Sequence, residues 1–350
     1  MVLPSSFARG VLLAAACVPG VAAQSRTPAP APGTAIETLR PLAALPAHVA
    51  GSFQEITACQ QSPSGDYFVF DRRAHSVFVV PPDLGAARKL IEIGSEPGRV
   101  LAPTSFDMAV EDQTFVVADA PNATPRIQRF VLSGSGLGGF VLPGRAVPTI
   151  SLRSLVLSGI GTLEYTGRSV FVSQPENGAV VTEYSTAGAA LRSFGALRPT
   201  GQEATPEVHA ALNTGIVVAN PQGGFYFVFL AGVPQFRKYD ADGSLLFERH
   251  IEGRELDSFI RALPTTWKRQ ATSEGEIPFI LPSVYAAGAD QKGNLWISLA
   301  AGVTYVYNAQ GDRVRAVTFR AVDPIAPTSL AFTRNGRVLV SPGCYAFSAE

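Results

Sequence analysis

Six short turns along this chain of 350 residues each feed a run of apolar and aromatic residues. Ser62-Pro63-Ser64-Gly65-Asp66 leads into Tyr67-Phe68-Val69-Phe70, and the pattern recurs at Thr114-Phe115-Val116-Val117 and Ser169-Val170-Phe171-Val172. Downstream it returns at Phe225 to Phe229, Leu295-Trp296-Ile297 and Val338-Leu339-Val340. Each run is apolar at almost every position, as in a strand covered on both faces, whereas later strands alternate, as in Phe236-Arg237-Lys238-Tyr239. A unit reads strand, turn, strand, loop, strand, turn, strand. Its last turn is clearest at Asp240-Ala241-Asp242-Gly243 and Asn308-Ala309-Gln310-Gly311. Units of this kind every 40 to 50 residues or so predict an all-β chain, a six-bladed β-propeller.

The last unit is short, ending with Cys344 to Phe347. Ala35-Ile36-Glu37-Thr38-Leu39 alternates and precedes the first unit, so it is expected to supply the missing outer strand and close the ring. One stretch, about 251–280, fits no strand pattern. Leu256, Phe259, Ile260 and Leu263 recur there at helical spacing, which predicts a short helical insertion on one face of the disk.

The second unit runs Phe115-Val116-Val117-Ala118-Asp119 and then Arg126-Ile127-Gln128-Arg129-Phe130, and the first has a looser version in Phe70-Asp71 and Ser76-Val77-Phe78-Val79. This resembles six-bladed propellers of the NHL-repeat kind. The resemblance covers the layout of residues 35–350 and the sequence of two or three units; units three to six lack the aspartate.

The N-terminus divides into three parts. Arg9, an apolar run from Val11 to Val18 and Val21-Ala22-Ala23 read as a secretory signal spanning 1–23. A lipoprotein site at Cys17 is disfavoured by Ala14 three positions before it. Residues 24–34 are a Pro/Ala-rich linker, and 35–350 are expected to form a single propeller domain. No apolar run reaches the length of a membrane span. A secreted or periplasmic protein is expected.

Charge narrows the partners. With 28 basic and 28 acidic residues the formal net charge is zero, and no basic stripe points to nucleic acid. After signal removal two cysteines remain, Cys59 and Cys344, and in an exported chain they are expected to be bridged, joining the first and last blades.

Candidate chemistry is sparse. There is no Gly-x-Ser-x-Gly elbow, and Gly134 to Gly139 lies in a hairpin, not ahead of a helix. No catalytic residue is assigned. The four histidines, His48, His75, His209 and His250, show no ligand spacing, so no metal or other cofactor is expected. Resemblance to lactonase-type propellers implies that calcium, or else zinc, is the ion to consider. The loops after the second strands are charged in the first three units, and small and apolar in the fourth and fifth. That asymmetry gives a candidate ligand set of Arg72, Arg73, His75, Asn122, Arg126, Glu176 and Asn177, with the arginines suited to a carboxylate or phosphate. The leading expectation is a monomeric binding module for a small ligand or a cell-envelope protein, without covalent chemistry. The alternative is a metal-dependent, lactonase-like hydrolase or lyase with its site at the tunnel mouth.

Overall fold

The computed structural model describes residues 35–143, 150–152, 155–157, 161–272 and 275–350. The expected signal, 1–23, and linker, 24–34, lie outside the described residues. Residues 35–350 form one compact unit.

Six antiparallel sheets are arranged as blades, each entered by its innermost strand. In blade 1 the order is Ile56–Gln61, Tyr67–Asp71, Ser76–Val80 and Arg88–Lys89. Blade 2 begins with Pro103–Ala109 and Thr114–Asp119, blade 3 with Leu163–Tyr165 and Ser169–Val172, and blade 4 with Gly215–Ala219 and Phe225–Phe229. Blade 5 begins with Val284–Ala289 and Leu295–Leu299, and blade 6 is the three strands Ser329–Phe332, Arg337–Ser341 and Tyr345–Ser348. The uniformly apolar second strands are buried because neighbouring blades pack on both their faces; Phe115, Phe227, Trp296 and Val338 are inaccessible to solvent. The predicted turns follow from side-chain chemistry. Asp240 Oδ1 accepts from the backbone N–H of Asp242 and Ser244, while Gly243 takes φ +85°.

Ring closure differs from expectation in one respect. Glu37–Leu39 does not complete blade 6; it pairs in parallel with Arg313–Arg320, the outer strand of blade 5, in the register Thr38 to Thr318. Leu39 explains the choice: it is buried with Val317, Phe319, Val338 and Phe347 in a cluster spanning blades 5 and 6. The chain then reaches blade 6, where Ala43 bridges Ala346 and both Leu42 and Ala43 donate to the Ala346 carbonyl. The N-terminal segment therefore closes the ring by tying the last two blades together. Cys59 and Cys344 are bridged as expected, joining blade 1 to blade 6.

The insertion carries a 3-10 turn, Arg254–Leu256, running into a helix, Asp257–Arg261. Leu256 is buried, and Ile260 and Trp267 pack with it against the core shared by blades 4 and 5. Two further short helices, Ala47–Ala50 and Pro206–Leu212, each follow or begin with a proline, which suits the first helical turn because its N–H would be unpaired anyway.

Candidate active site

All six inner strands border a central cavity of about 680 Å³. Its mouth is set by residues that precede the inner strands or follow the second strands: Glu55, Arg72, Arg73, Thr162, Thr214 and Pro342. Farther in, blades 4 to 6 contribute carbon, from Ile216, Val217, Ala286, Ala287, Leu330 and Ala331. Blades 1 to 3 contribute Gln60, Asp107 and Glu164 at the same level. These three stand at equivalent register positions, opposite Phe68, Val116 and Phe171, each three residues before the residue that ends its stretch at Asp71, Asp119 and Gln174.

The three side chains link consecutive blades. Gln60 Nε2 donates to Asp107 Oδ1 at 2.7 Å, and the Gln60 Oε1 accepts the Met108 N–H at 3.1 Å. Asp107 Oδ1 also accepts from Met108 N at 2.9 Å, and its Oδ2 from Tyr165 N, next to Glu164, at 2.7 Å. Glu164 in turn accepts from the backbone of Ala219 in blade 4.

Burial dominates the electrostatics. It pushes the Asp107 carboxyl up to about 6 against the opposing pull of Gln60, Tyr165 and Met108, all of which favour the anion. Burial, and then the neighbouring Asp107 charge, hold Glu164 well above the usual carboxylate range, with only the Ala219 N–H opposing. Both carboxyls therefore hold a proton more readily than free ones, and Glu164, with one opposing donor against three on Asp107, the more so.

The residues proposed from the loops are not gathered into one site. Arg72 and Arg73 line the cavity mouth, but both face Glu55: Arg72 Nη2 lies 2.6 Å from Glu55 Oε1, and Arg73, 68% exposed, lies 3.6 Å from Oε2. Arg126 is away from the cavity, paired through two nitrogens with the buried Asp119 and donating to the carbonyls of Ser95 and Arg99. His75 Nδ1 accepts the Ala102 N–H, and Asn122 and Asn177 are exposed in short turns. Glu176 sits in the second of these turns, with neither carboxyl oxygen solvent-accessible or hydrogen-bonded. Of the predicted set, only Arg72 and Arg73 border the cavity. Asp71 accepts three backbone N–H groups, from Gln54, Glu55 and Ala74, so it holds its loop.

Asp107 and Glu164 were legible only weakly. Each is an acidic residue inside a segment that precedes an apolar run, the one signal that marks a polar side chain on an innermost strand.

The chain's own donors do not fit a resident metal ion. Among the described residues no three His, Cys, Asp or Glu converge. No asparagine among the described residues lines the cavity. No step is routed through a divalent ion.

No protein-family model matches the sequence, and no curated protein matches it significantly. Solved structures do match. A streptogramin B lyase superposes with a TM-score of 0.51 at 12% identity, covering 83% of this chain and 76% of that one. Virginiamycin B lyase from Staphylococcus aureus gives 0.48 at 12%, covering 83% of each chain. A gluconolactonase from Xanthomonas campestris gives 0.49 at 13%, covering 90% of this chain and 95% of that one. The likeness is one of fold, a six-bladed propeller of the NHL-repeat-like kind. The expectation of a binding module without covalent chemistry is corrected: a chain that shares the fold is a lyase, and the tunnel of this one is lined by two carboxyls raised above their ordinary range. The hydrolase or lyase alternative is the one carried forward.

Proposed function

We propose that this chain is an acid–base enzyme of the hydrolase or lyase class that cleaves a C–O bond in a small molecule held in the propeller tunnel. The observation that carries the reading is the half-buried pair Asp107 and Glu164, both raised above the ordinary carboxylate range by desolvation, facing a cavity whose opposite wall is largely apolar. The carboxylate takes a proton from water, whose oxygen bonds to the carbon under attack in hydrolysis, or from the adjacent carbon, whose electron pair becomes the new double bond in elimination. As the C–O bond breaks, the carboxylic acid gives its proton to the leaving oxygen. The pair ends with its single proton moved from one member to the other, and exchange with solvent restores it. Exclusion of bulk water by the tunnel walls strengthens both transfers.

An exported location is part of the same reading. The Cys59–Cys344 bridge supports an oxidising compartment, and no helix among the described residues is long and apolar enough to cross a membrane.

Gluconolactone, virginiamycin B and simple aryl esters form the first substrate panel. Glu164→Gln keeps an acceptor for the Ala219 N–H and removes only the proton donor, so turnover should fall at least about 100-fold with the fold intact. Reaction in H₂¹⁸O separates the two classes: hydrolysis labels the product, while elimination leaves it unlabelled and unsaturated. Full activity in Glu164→Gln would overturn the reading.

A further inference from the structure

We infer that Gln60 is a positioning residue that fixes which member of the pair carries the proton, making Asp107 the base and Glu164 the acid. The inference rests on the proposed function and deepens it by assigning roles.

The orientation of the Gln60 amide is set by its surroundings. Its Oε1 accepts the Met108 N–H, so the other end of the amide, Nε2, is the end presented to Asp107 Oδ1 at 2.7 Å. A reversed amide would set an N–H against the Met108 N–H and an oxygen against the carboxylate. With Gln60 in place, Asp107 accepts three N–H donors, from Gln60, Met108 and Tyr165. Three such donors leave its oxygens no reason to hold a proton, because every donor stabilises the anion. Glu164 accepts from one backbone N–H, that of Ala219, and stands beside an Asp107 anion. Of the two, Glu164 is therefore the one that keeps its proton to the higher pH. The backbone donors come with the blade architecture, whereas Gln60 is a side chain brought in from the neighbouring blade.

The other ionisable groups facing the pair do not displace this order. Tyr165, on the same strand as Glu164, has its hydroxyl turned to Thr114 Oγ1 and the Gly167 carbonyl. Glu55, Arg72 and Arg73 face one another at the mouth, and Tyr285 lies across the tunnel in blade 5.

The test follows the carboxyl carbons by ¹³C NMR in the full chain labelled at Asp and Glu, between about pH 4 and pH 9, with Asp107→Asn and Glu164→Gln used for assignment. In the parent, Asp107 should ionise first, and the Gln60 side-chain N–H resonances should shift with the Asp107 midpoint. In Gln60→Leu the Asp107 midpoint should rise by at least about one pH unit, a tenfold change in proton affinity. Gln60→Glu, which puts a carboxyl where the donor was, should raise it further. If Glu164 ionises first in the parent, or if the Gln60 amide ignores the Asp107 titration, the inference is overturned without any variant being needed. Unchanged midpoints in folded Gln60→Leu would overturn it equally.

A merely structural role for Gln60 would lower stability and leave the midpoints alone. The two readings also fail separately: a confirmed proton order in a protein that turns over no substrate sinks the proposed function alone. Turnover that needs both carboxyls, with the order reversed, sinks the role assignment alone. Where a substrate is found, the rate should rise with the Asp107 midpoint and fall with that of Glu164, and the bell should narrow in Gln60→Leu.

Discussion

Removing the Cys59–Cys344 bridge should cost the chain a substantial part of its stability. The bridge spans a sequence separation of 285 residues, close to the full circumference of the ring. In the chain-entropy relation a closed loop of that length restricts the unfolded ensemble by about 5.6 kcal/mol at 25 °C, an upper bound that compact unfolded chains reduce. A domain's whole stability is roughly 5–15 kcal/mol, so even half that figure is large. Loss of the bridge also removes the covalent link between blade 6 and blade 1, which no strand ladder joins. Both sulfurs are buried, so reductant added to native protein acts only after opening. The reduced form is therefore prepared by unfolding in urea with a phosphine reductant and refolding. Urea unfolding of oxidised and reduced protein, followed by circular dichroism, should give a difference of about 3–5 kcal/mol with a lower m-value for the oxidised form, whose unfolded chain stays compact. Coincident unfolding curves with two thiols titrated in the reduced sample would refute the reasoning, because the ring would then be closed by packing alone.

Deletion through Leu39 should cost about 3–4 kcal/mol, from the buried Leu39 side chain and the lost parallel pairing with Arg313–Arg320, and should promote aggregation at the bared edge. Deletion through Thr34 should leave the urea midpoint unchanged, and equal midpoints for both truncations would count against the closure described. Glu176, pushed up to about 7 by burial and without a partner for either oxygen, has a folded-state value above its unfolded one. Its contribution to stability is therefore lost as pH rises from about 4.5 through 7, and Glu176→Gln should stabilise by up to about 3 kcal/mol at pH 8 and by nothing measurable at pH 4, checked by thermal unfolding. Dialysis against EDTA should leave melting temperature and turnover unchanged; abolition of turnover with recovery on adding calcium or zinc would defeat the acid–base reading.

The fold was legible because its cause is local and repeated. An apolar run such as Phe225 to Phe229 needs cover on both faces, and a turn such as Asp240 to Gly243 carries its own hydrogen bonds, so each unit announces itself within a few residues. Helical spacing at Leu256, Phe259 and Ile260 marked the insertion in the same way, and two cysteines at opposite ends of a ring had one another as partners. Tertiary structure alone decided the rest. The alternation of Ala35 to Leu39 predicts a strand but not which edge receives it, and the pocket for Leu39 is built by blades 5 and 6 together. Arg72 and Arg126 looked available in sequence, yet Glu55 and Asp119 neutralise them through contacts that only folding creates. Asp107 and Glu164 lie 57 residues apart with no motif between them. Their meaning comes from adjacent inner strands that place two carboxyls and Gln60 at one level of the tunnel, where desolvation, a property of the whole ring, raises both above their ordinary range.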